Sequence, residues 1–384
     1  MIGAVRVLLA PDKFKGSLSA REVADALADG IAQAAPDWQV VSLPVADGGD
    51  GLIDAVSAAG FTVVEAQVTG SLGDRRTARY ALRGTTGVVE LAEADGLRHL
   101  DPARLSPLKA TSAGVGELVR HALDDGCTTL VVGLGGSANT DGGSGLLRAL
   151  GARLTDAGGA QLPPGGGPLG EVHEVDLSGL DPRLAEVELI AATDVDNPLL
   201  GPHGTAAVYA PQKGADDSDV AALDAALARW SQRLGAATGR EAAALPGAGA
   251  AGGVGFALLS LGARVRPGIE VVMDLLELES ALAASDLVVV GEGSLDAQSL
   301  RGKAPVGVSA LAGRHGIPVV AVAGRSTLTA DELHAAGIHA VLTLRDLEPD
   351  PAVSMRDAAQ LLRALGRRLP EIADSVTPPG SPPG

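Results

Sequence analysis

The chain opens on an apolar run, Val5-Arg-Val-Leu-Leu-Ala10, whose β-branched and aliphatic content predicts a short buried strand. Ser19 and Glu22 then stand at capping-box spacing ahead of Val23, Leu27 and Ile31, which recur at helical intervals. Pro36 ends that helix, and Val40 to Val45 predicts a second strand. Asp47-Gly-Gly-Asp50 leads into a helix with Leu52, Ile53 and Val56 that stops at Gly60. The same rhythm returns toward the end of the chain. Asp286 to Val290, Ile317 to Val322 and Ile338 to Leu344 read as strands. Between and after them fall helices around Val306 to Arg314, behind the Thr329/Glu332 capping box, and from Met355 to Leu369. Strands alternating with helices predict one five-stranded parallel sheet built from both ends of the chain.

The middle of the chain is then a large insertion. It begins with β-like segments at Thr62 to Val68, Thr77 to Leu82 and Gly87 to Leu91, joined by glycine-containing turns. Thr129-Leu-Val-Val132 is a further strand, followed by a glycine-rich loop. Val220, Leu223, Leu227, Trp230 and Leu234 form one stripe of a helix over Asp219 to Leu234. The resulting division is residues 1–60 plus 286–372 as one α/β domain, 61–285 as an inserted α/β domain, and 373–384 as a flexible Pro/Gly tail.

Composition narrows what such a chain can do. Its 384 residues suit two domains, and 46% hydrophobic content with a mean hydropathy of +0.22 excludes disorder over most of its length. With 30 basic against 47 acidic residues the net charge is −17, which excludes a broad nucleic-acid surface. Phosphate, if handled, must be met locally by a few lysines and backbone N–H groups. Cys127 is the single cysteine, so there is no intrachain disulfide or cysteine zinc cluster, and a reducing cytoplasm fits. No export signal or membrane span is read from the chain. The 52 glycines follow no fixed period, while aromatic residues make up only 2%. Adenine, if bound, is expected between aliphatic side chains.

Four segments place glycine beside Asp, Asn, Ser or Lys just past an apolar strand, where open α/β sheets bind ligands. The first, Ala10 to Ser17, brings Lys15 and Ser17 to the opening of a helix, whose N–H groups attract anions. The alternative is solvated lysines and a plain helix start. The second, Ala46 to Gly51, offers Asp47 and Asp50 for proton acceptance or Mg²⁺, or alternatively a turn with an N-cap. The third, Gly133 to Gly143, can wrap phosphate oxygens with nested N–H groups, or be a long turn. The fourth runs from Gly291 through Glu292 and Asp296 to Lys303. Asp194, Asp196 and Asn197 precede Pro198 and suit either a metal site or an Asx turn, with Gln212-Lys213-Gly214 further on.

Several familiar patterns fail on context. Gly247, Gly249 and Gly252 match G-x-G-x-x-G, but Ala242 to Leu245 is a poor strand for a dinucleotide fingerprint. Gly302-Lys303 lacks the upstream glycine and following Ser or Thr of a Walker A loop. No metalloprotease or serine-hydrolase motif occurs.

Taken in order, the segments resemble the bacterial, first-class glycerate kinase family over nearly the whole chain. The family's A-P-D-x-F-K-x-S-L-S-A stands at Ala10 to Ala20, and A-D-G-G-E-G at Ala46 to Gly51 with Asp50 in place of Glu. G-L-G-G-S-A-T-N-D-G-G stands at Gly133 to Gly143 with Asn139 and Thr140 in reverse order. D-V-D-N-P-L, P-Q-K-G-A and G-E-G-x-x-D-x-Q-S-x-x-G-K-x-P are intact from Asp194, Pro211 and Gly291. The resemblance implies a flavodoxin-like domain with an inserted α/β domain, and ATP-dependent phosphorylation of D-glycerate, usually described as giving 2-phosphoglycerate.

On that basis Asp47, Asp194, Lys15 and Asp296 are the catalytic candidates, with Asp47 and Asp194 also candidate Mg²⁺ ligands. Ser17, Asp50, Lys213 and Asn197 are candidate substrate contacts. Gly135, Gly136, Ser137, Asp141, Glu292 and Lys303 are candidate ATP contacts. The expected partners are small molecules, with the protein a monomer or homodimer. Rival readings are a kinase for another small hydroxy acid, a non-catalytic small-molecule-binding protein, and a nicotinamide-dependent oxidoreductase.

Overall fold

A computed structural model of the chain describes residues 5–46, 48–301 and 303–376. Asp47, and residues 377–384 of the expected tail, lie outside the described residues. Two compact units form. One comprises Met1–Asp47, Asp54–Gly60 and Ile269–Gly384, the other Gly48–Ile53 and Phe61–Gly268. Residues 269–285, drawn with the insertion from sequence, thus belong to the first unit.

In the first unit, β1 (Arg6–Pro11), β2 (Gln39–Ser42), β11 (Leu287–Leu295), β12 (Val319–Ser326) and β13 (Ala340–Thr343) build one sheet, its numbers following chain order through the whole protein. The order is β13-β12-β11-β1-β2 and every pairing is parallel. Counted within the unit this is 2-1-3-4-5, the flavodoxin-like order. Both capping boxes form as the sequence predicts: Ser19 and Glu22 start the helix Ala20–Ala34, and Thr329 and Glu332 start Ala330–Ala335.

Two expectations shift. The closing helix is a short Pro351–Arg356 followed by Ala358–Val376, so 373–376 is helical. β11 runs on through the Gly291–Leu295 motif that sequence reads as a loop. Gly is a weak strand former, but here Glu292 and Ser294 are paired with Ala323 and Arg325 of β12, which runs on beside it and supplies the ladder bonds.

The helices Ala20–Ala34 and Ala358–Val376 cross on one face of this sheet. Leu27, Ile31, Leu362, Leu365 and Leu369 are fully buried there, each contributing about 1.5–3 kcal/mol of transfer free energy. The crossing is tight because two glycines meet at it. A Cβ on Gly30 would lie 2.2 Å from the Arg363 carbonyl oxygen, and one on Gly366 2.5 Å from that of Leu27.

In the second unit the order is β10-β9-β6-β5-β4-β3. β3 (Thr62–Thr69), β4 (Arg75–Arg83) and β5 (Thr86–Glu90) form an antiparallel meander. β5, β6 (Thr129–Gly133), β9 (Glu188–Ala192) and β10 (Arg264–Arg266) are parallel. β7 (Arg153–Thr155) and β8 (Glu174–Asp176) make a small separate pair. The predicted stripe holds: Leu223, Leu227, Trp230 and Leu234 of the helix Asp217–Thr238 are fully buried. Among the described residues no helix is long and apolar enough to cross a membrane.

Gly30→Ala is expected to lower stability by about 1–3 kcal/mol through overpacking at the crossing. Gly313→Ala, in the exposed face of the helix Ala304–Arg314 with nothing near its Cβ position, is expected to raise it by about 0.5–1 kcal/mol. Urea denaturation of the two variants checks both signs.

Candidate active site

The carboxyl ends of β5, β6, β9 and β10 lie side by side, with Glu90 in register with Gly133 and Gly133 with Ala192. Two of the segments singled out from sequence, Gly133 to Gly143 and Thr193-Asp194, therefore leave one sheet edge together with the stretch that follows Glu90. The segment Gly48–Ile53 is docked onto the same edge. A Cβ on Gly133 would stand 2.5 Å from the Gly48 carbonyl oxygen, and one on Gly135 2.6 Å from the Gly49 Cα. The two glycine-rich loops thus touch backbone to backbone.

Asp141 shapes the longer loop from inside. Its carboxylate is fully buried and accepts the N–H groups of Ser112 (2.8 Å), Gly143 (2.9 Å) and Gly145 (3.1 Å), with the Ser112 hydroxyl at 2.9 Å. Burial pushes its pKa up, and these donors pull it back. Trp230 donates its indole N–H to the Gly142 carbonyl at 2.9 Å. Gly252, from the G-x-G-x-x-G look-alike, accepts the Gly142 N–H at 2.9 Å. That segment holds Ala251 at φ +52° and packs on the loop at Asn139, so its glycines serve close packing.

At the loop's tip the N–H groups of Gly135, Gly136 and Ser137 donate to no acceptor among the described residues, while Leu134 and Ala138 on either side donate to Ala192 and Asp95 carbonyls. Gly136 is exposed and adopts φ +65°, a left-handed turn that suits glycine. Consecutive unpartnered N–H groups of this kind cradle anionic oxygens.

Beneath the tip lies a buried ionic cluster. Lys213 is 1% exposed. Its Nζ donates to the Ser137 Oγ at 2.8 Å and to the Asn139 carbonyl, while Asn139 Nδ2 donates to Asp95. Burial pushes Asp95 up to about 7 and Lys213 down to about 8, each partly offset by the other's charge. Lys213 is therefore placed to support the loop from below, not at its surface.

Asp194 is exposed, and its Oδ1 accepts the Gly268 N–H at 2.9 Å. Gly268 in turn abuts Gly48, whose Cβ would lie 2.5 Å from the Gly268 Cα. Asn197 has both ends of its amide engaged, donating to the His203 carbonyl and accepting the Tyr209 hydroxyl. No group of three or more metal-ligating side chains occurs among the described residues. An exposed carboxylate such as Asp194 nonetheless suits Mg²⁺, which takes one or two carboxylates alongside substrate phosphates.

The first unit carries its own polar cluster at the carboxyl ends of β1, β11 and β12. β1 and β11 are adjacent and form the topological switch point of the sheet. Lys303 Nζ pairs with Glu292 at 2.5 Å, and the Ser299 hydroxyl donates to the same carboxylate at 2.6 Å. Asp296 accepts the Gln298 N–H at 2.9 Å, which lowers its pKa. Lys15 is exposed, with its backbone against Gly293. The Ser17 hydroxyl donates to the Met355 carbonyl at 2.7 Å, and the helix starts only at Ala20 under its Ser19 cap. The expected anion site at a helix opened by Lys15 and Ser17 is thus displaced: the capping box already occupies N–H groups of that terminus.

Sequence reasoning missed Glu90, Arg98, Asp95 and Arg325. Arg325 donates to the Ser294 hydroxyl at 3.1 Å from the end of β12. The usable signal for Glu90 was a carboxylate closing an otherwise buried strand, Gly87-Val-Val-Glu90.

Loop N–H groups that find no acceptor among the described residues, with lysines and carboxylates at the carboxyl ends of parallel strands, suit the binding of phosphate. The glycerate kinase family matches residues 7–373. The chain is 42% identical over 344 residues to the glycerate 2-kinase of Escherichia coli strain K12, covering 88% of this chain and 90% of that one. It is 41% identical over 377 residues to the glycerate kinase of Bacillus subtilis strain 168, covering 97% and 98%. A crystal structure of a candidate glycerate kinase 2 from Salmonella typhimurium LT2 superposes with a TM-score of 0.83 at 42% identity, over 97% of this chain and 100% of that one. The chain belongs to the glycerate kinase family.

Lys213→Met is expected to cost about 3–5 kcal/mol, the range for removing one partner of a buried charge cluster. Between pH 3.8 and about 7 the unfolded chain has already released the Asp95 proton that the folded chain keeps, so this group's contribution to stability falls as pH rises. Without the Lys213 charge that fall extends further upward. Urea midpoints at about pH 5.5 and about pH 8.5 should show the gap between variant and wild type widening at the higher pH.

Proposed function

We propose that the protein transfers the γ-phosphoryl group of ATP to the C2 hydroxyl of D-glycerate, giving 2-phosphoglycerate and ADP. The observation that carries this reading is the run of N–H groups at Gly135, Gly136 and Ser137 that find no acceptor among the described residues, held against Gly48 and Gly49 and sharing a sheet edge with Asp194. The printed name of the Escherichia coli relative, a glycerate 2-kinase, supports C2 over C3.

In the reaction the acceptor oxygen forms a bond to the γ-phosphorus as the bond to the β,γ-bridging oxygen breaks, and the hydroxyl proton leaves. The Gly135–Ser137 nest holds phosphate oxygens, where preorganised N–H dipoles match the charge that develops. Asp194 and Asp47 divide proton acceptance and Mg²⁺ ligation between them. Mg²⁺, when bound, neutralises charge on the transferring phosphates. Asp141 and Lys213 act by holding the loop. Asp50 and Asn197 border the glycerate site. In the first unit Lys15, Ser17, Lys303, Glu292 and Asp296 form a second polar group, whose lysines suit an anionic ligand. We place the reaction in the cytoplasm, where the buried free thiol of Cys127 remains reduced.

ADP release with D-glycerate and ATP–Mg²⁺, followed by ³¹P and ¹³C NMR of the product, tests the reading. Phosphate on C2 is expected. No turnover of D-glycerate would overturn the substrate, and phosphate on C3 the position. Asp194→Asn is expected to lower kcat by at least about 100-fold, and a wild-type kcat would remove Asp194 from the chemistry.

A further inference from the structure

Glu90 is 1% exposed at the end of β5, where an unpaired carboxylate is strongly disfavoured. Its pKa is raised by that burial, with hydrogen bonds and a nearby guanidinium working against the rise. The donors it has found come from elsewhere in the chain. Gly51 N–H lies at 3.2 Å, Ile53 N–H at 3.1 Å and Arg98 Nη1 at 3.2 Å. Gly51 and Ile53 open the helix Leu52–Ala58, so a side chain from the sheet accepts N–H groups that a helix start leaves unpaired.

Arg98 then extends the hold. Its guanidinium reaches Asp50 at 3.1 Å and Glu93 at 2.9 Å as well as Glu90. Glu93 is closed from its other side by Arg79 at 2.9 Å. A planar fork of this kind fixes direction as well as distance. The backbone of the same segment is stitched to the other loop: Leu97 N–H donates to the Gly136 carbonyl at 2.8 Å, and Gly96 bridges to Ser137. Asp50 Oδ1 lies 2.7 Å from where a Gly136 Cβ would stand. Gly96, Leu97 and Arg98 therefore hold the Gly133–Gly143 loop by backbone and the Gly48–Ile53 loop by a side chain.

We propose that Arg98, anchored by Glu90, is a positioning residue that sets the Gly48–Ile53 loop against the phosphate-binding tip. This rests on the phosphoryl-transfer reading above. The three carboxylates Asp50, Glu90 and Glu93 share the two guanidiniums Arg98 and Arg79, and Asp50, 39% exposed, is the member closest to solvent. Loss of Arg98 removes the ion pair that ties Asp50 to Glu90 and Glu93, and it touches no ladder bond of the sheet. Arg98 is itself 37% exposed, so its replacement should fold.

The test uses the full chain as wild type, Arg98→Met, Arg98→Lys and Glu90→Gln. Arg98→Met is expected to lower kcat about 10- to 100-fold with the KM for ATP changed less than about threefold. Hydrogen exchange at the Gly51 and Ile53 amides should quicken at least about tenfold while exchange in β5 and β6 stays at the wild-type rate. Arg98→Lys, a point charge without the fork, should recover only part of kcat. Glu90→Gln should quicken the same two amides, and if it fails to fold the Arg98 variants carry the test. Wild-type exchange at those amides in Arg98→Met, or faster exchange with an unchanged kcat, overturns the proposal. The exchange readout needs no substrate, so failure of the wild type to turn over D-glycerate counts against the function reading alone.

Discussion

Two loops of the second unit meet backbone to backbone at their glycines, and the geometry of that edge follows from this contact. Gly133 and Gly135 face Gly48 and Gly49 so closely that a Cβ would lie 2.5–2.6 Å from backbone atoms. Contacts this short exist only where glycine removes the methyl group. They set the tip N–H groups of Gly135, Gly136 and Ser137 beside the Gly48–Ile53 loop, while the pairing of β6 with β9 brings the Asp194 segment to the same strand edge. The glycine abundance of the chain is in this part a packing requirement.

Backbone contact alone does not specify a loop, because glycine-rich segments are conformationally permissive. Buried charge supplies the specification. Asp141 gathers three N–H groups and the hydroxyls of Ser112 and Thr111, Lys213 holds the Ser137 hydroxyl and the Asn139 carbonyl, and Glu90 holds Gly51 and Ile53. Each ionised group is costly to bury and recovers that cost only in the one loop arrangement that satisfies it. The cluster in the first unit differs in kind. Glu292, Ser299 and Lys303 form a part-buried network beside an exposed Lys15, which leaves cationic groups accessible at the sheet edge.

Much of the fold was legible because its signals are local. The Ser19/Glu22 and Thr329/Glu332 boxes are read within four residues, and both cap as expected. The Leu223-to-Leu234 stripe needs only the helical period. The G-x-G-x-x-G look-alike was rejected for want of a preceding strand, and its Gly252 instead accepts from Gly142. The β11 extension escaped because Gly291 to Leu295 has no strand propensity of its own and is held by pairing with β12. Lysine is rarely buried, and only the packed structure shows that Lys213 lies beneath the loop with its Nζ on Ser137 and Asn139.

The sequence by itself determined the alternation of strands and helices, the caps that begin them, the glycine-rich segments and the family to which the chain belongs. These depend on periodicity and on neighbours a few residues away. Tertiary structure alone decided which carboxylate serves which loop. Glu90 meets Ile53 across 37 positions and Lys213 meets Ser137 across 76, and no local pattern encodes such a partner. A buried charge finds its counter-group in space, after the sheet has brought the strand ends together, and the loops take their shape from that pairing.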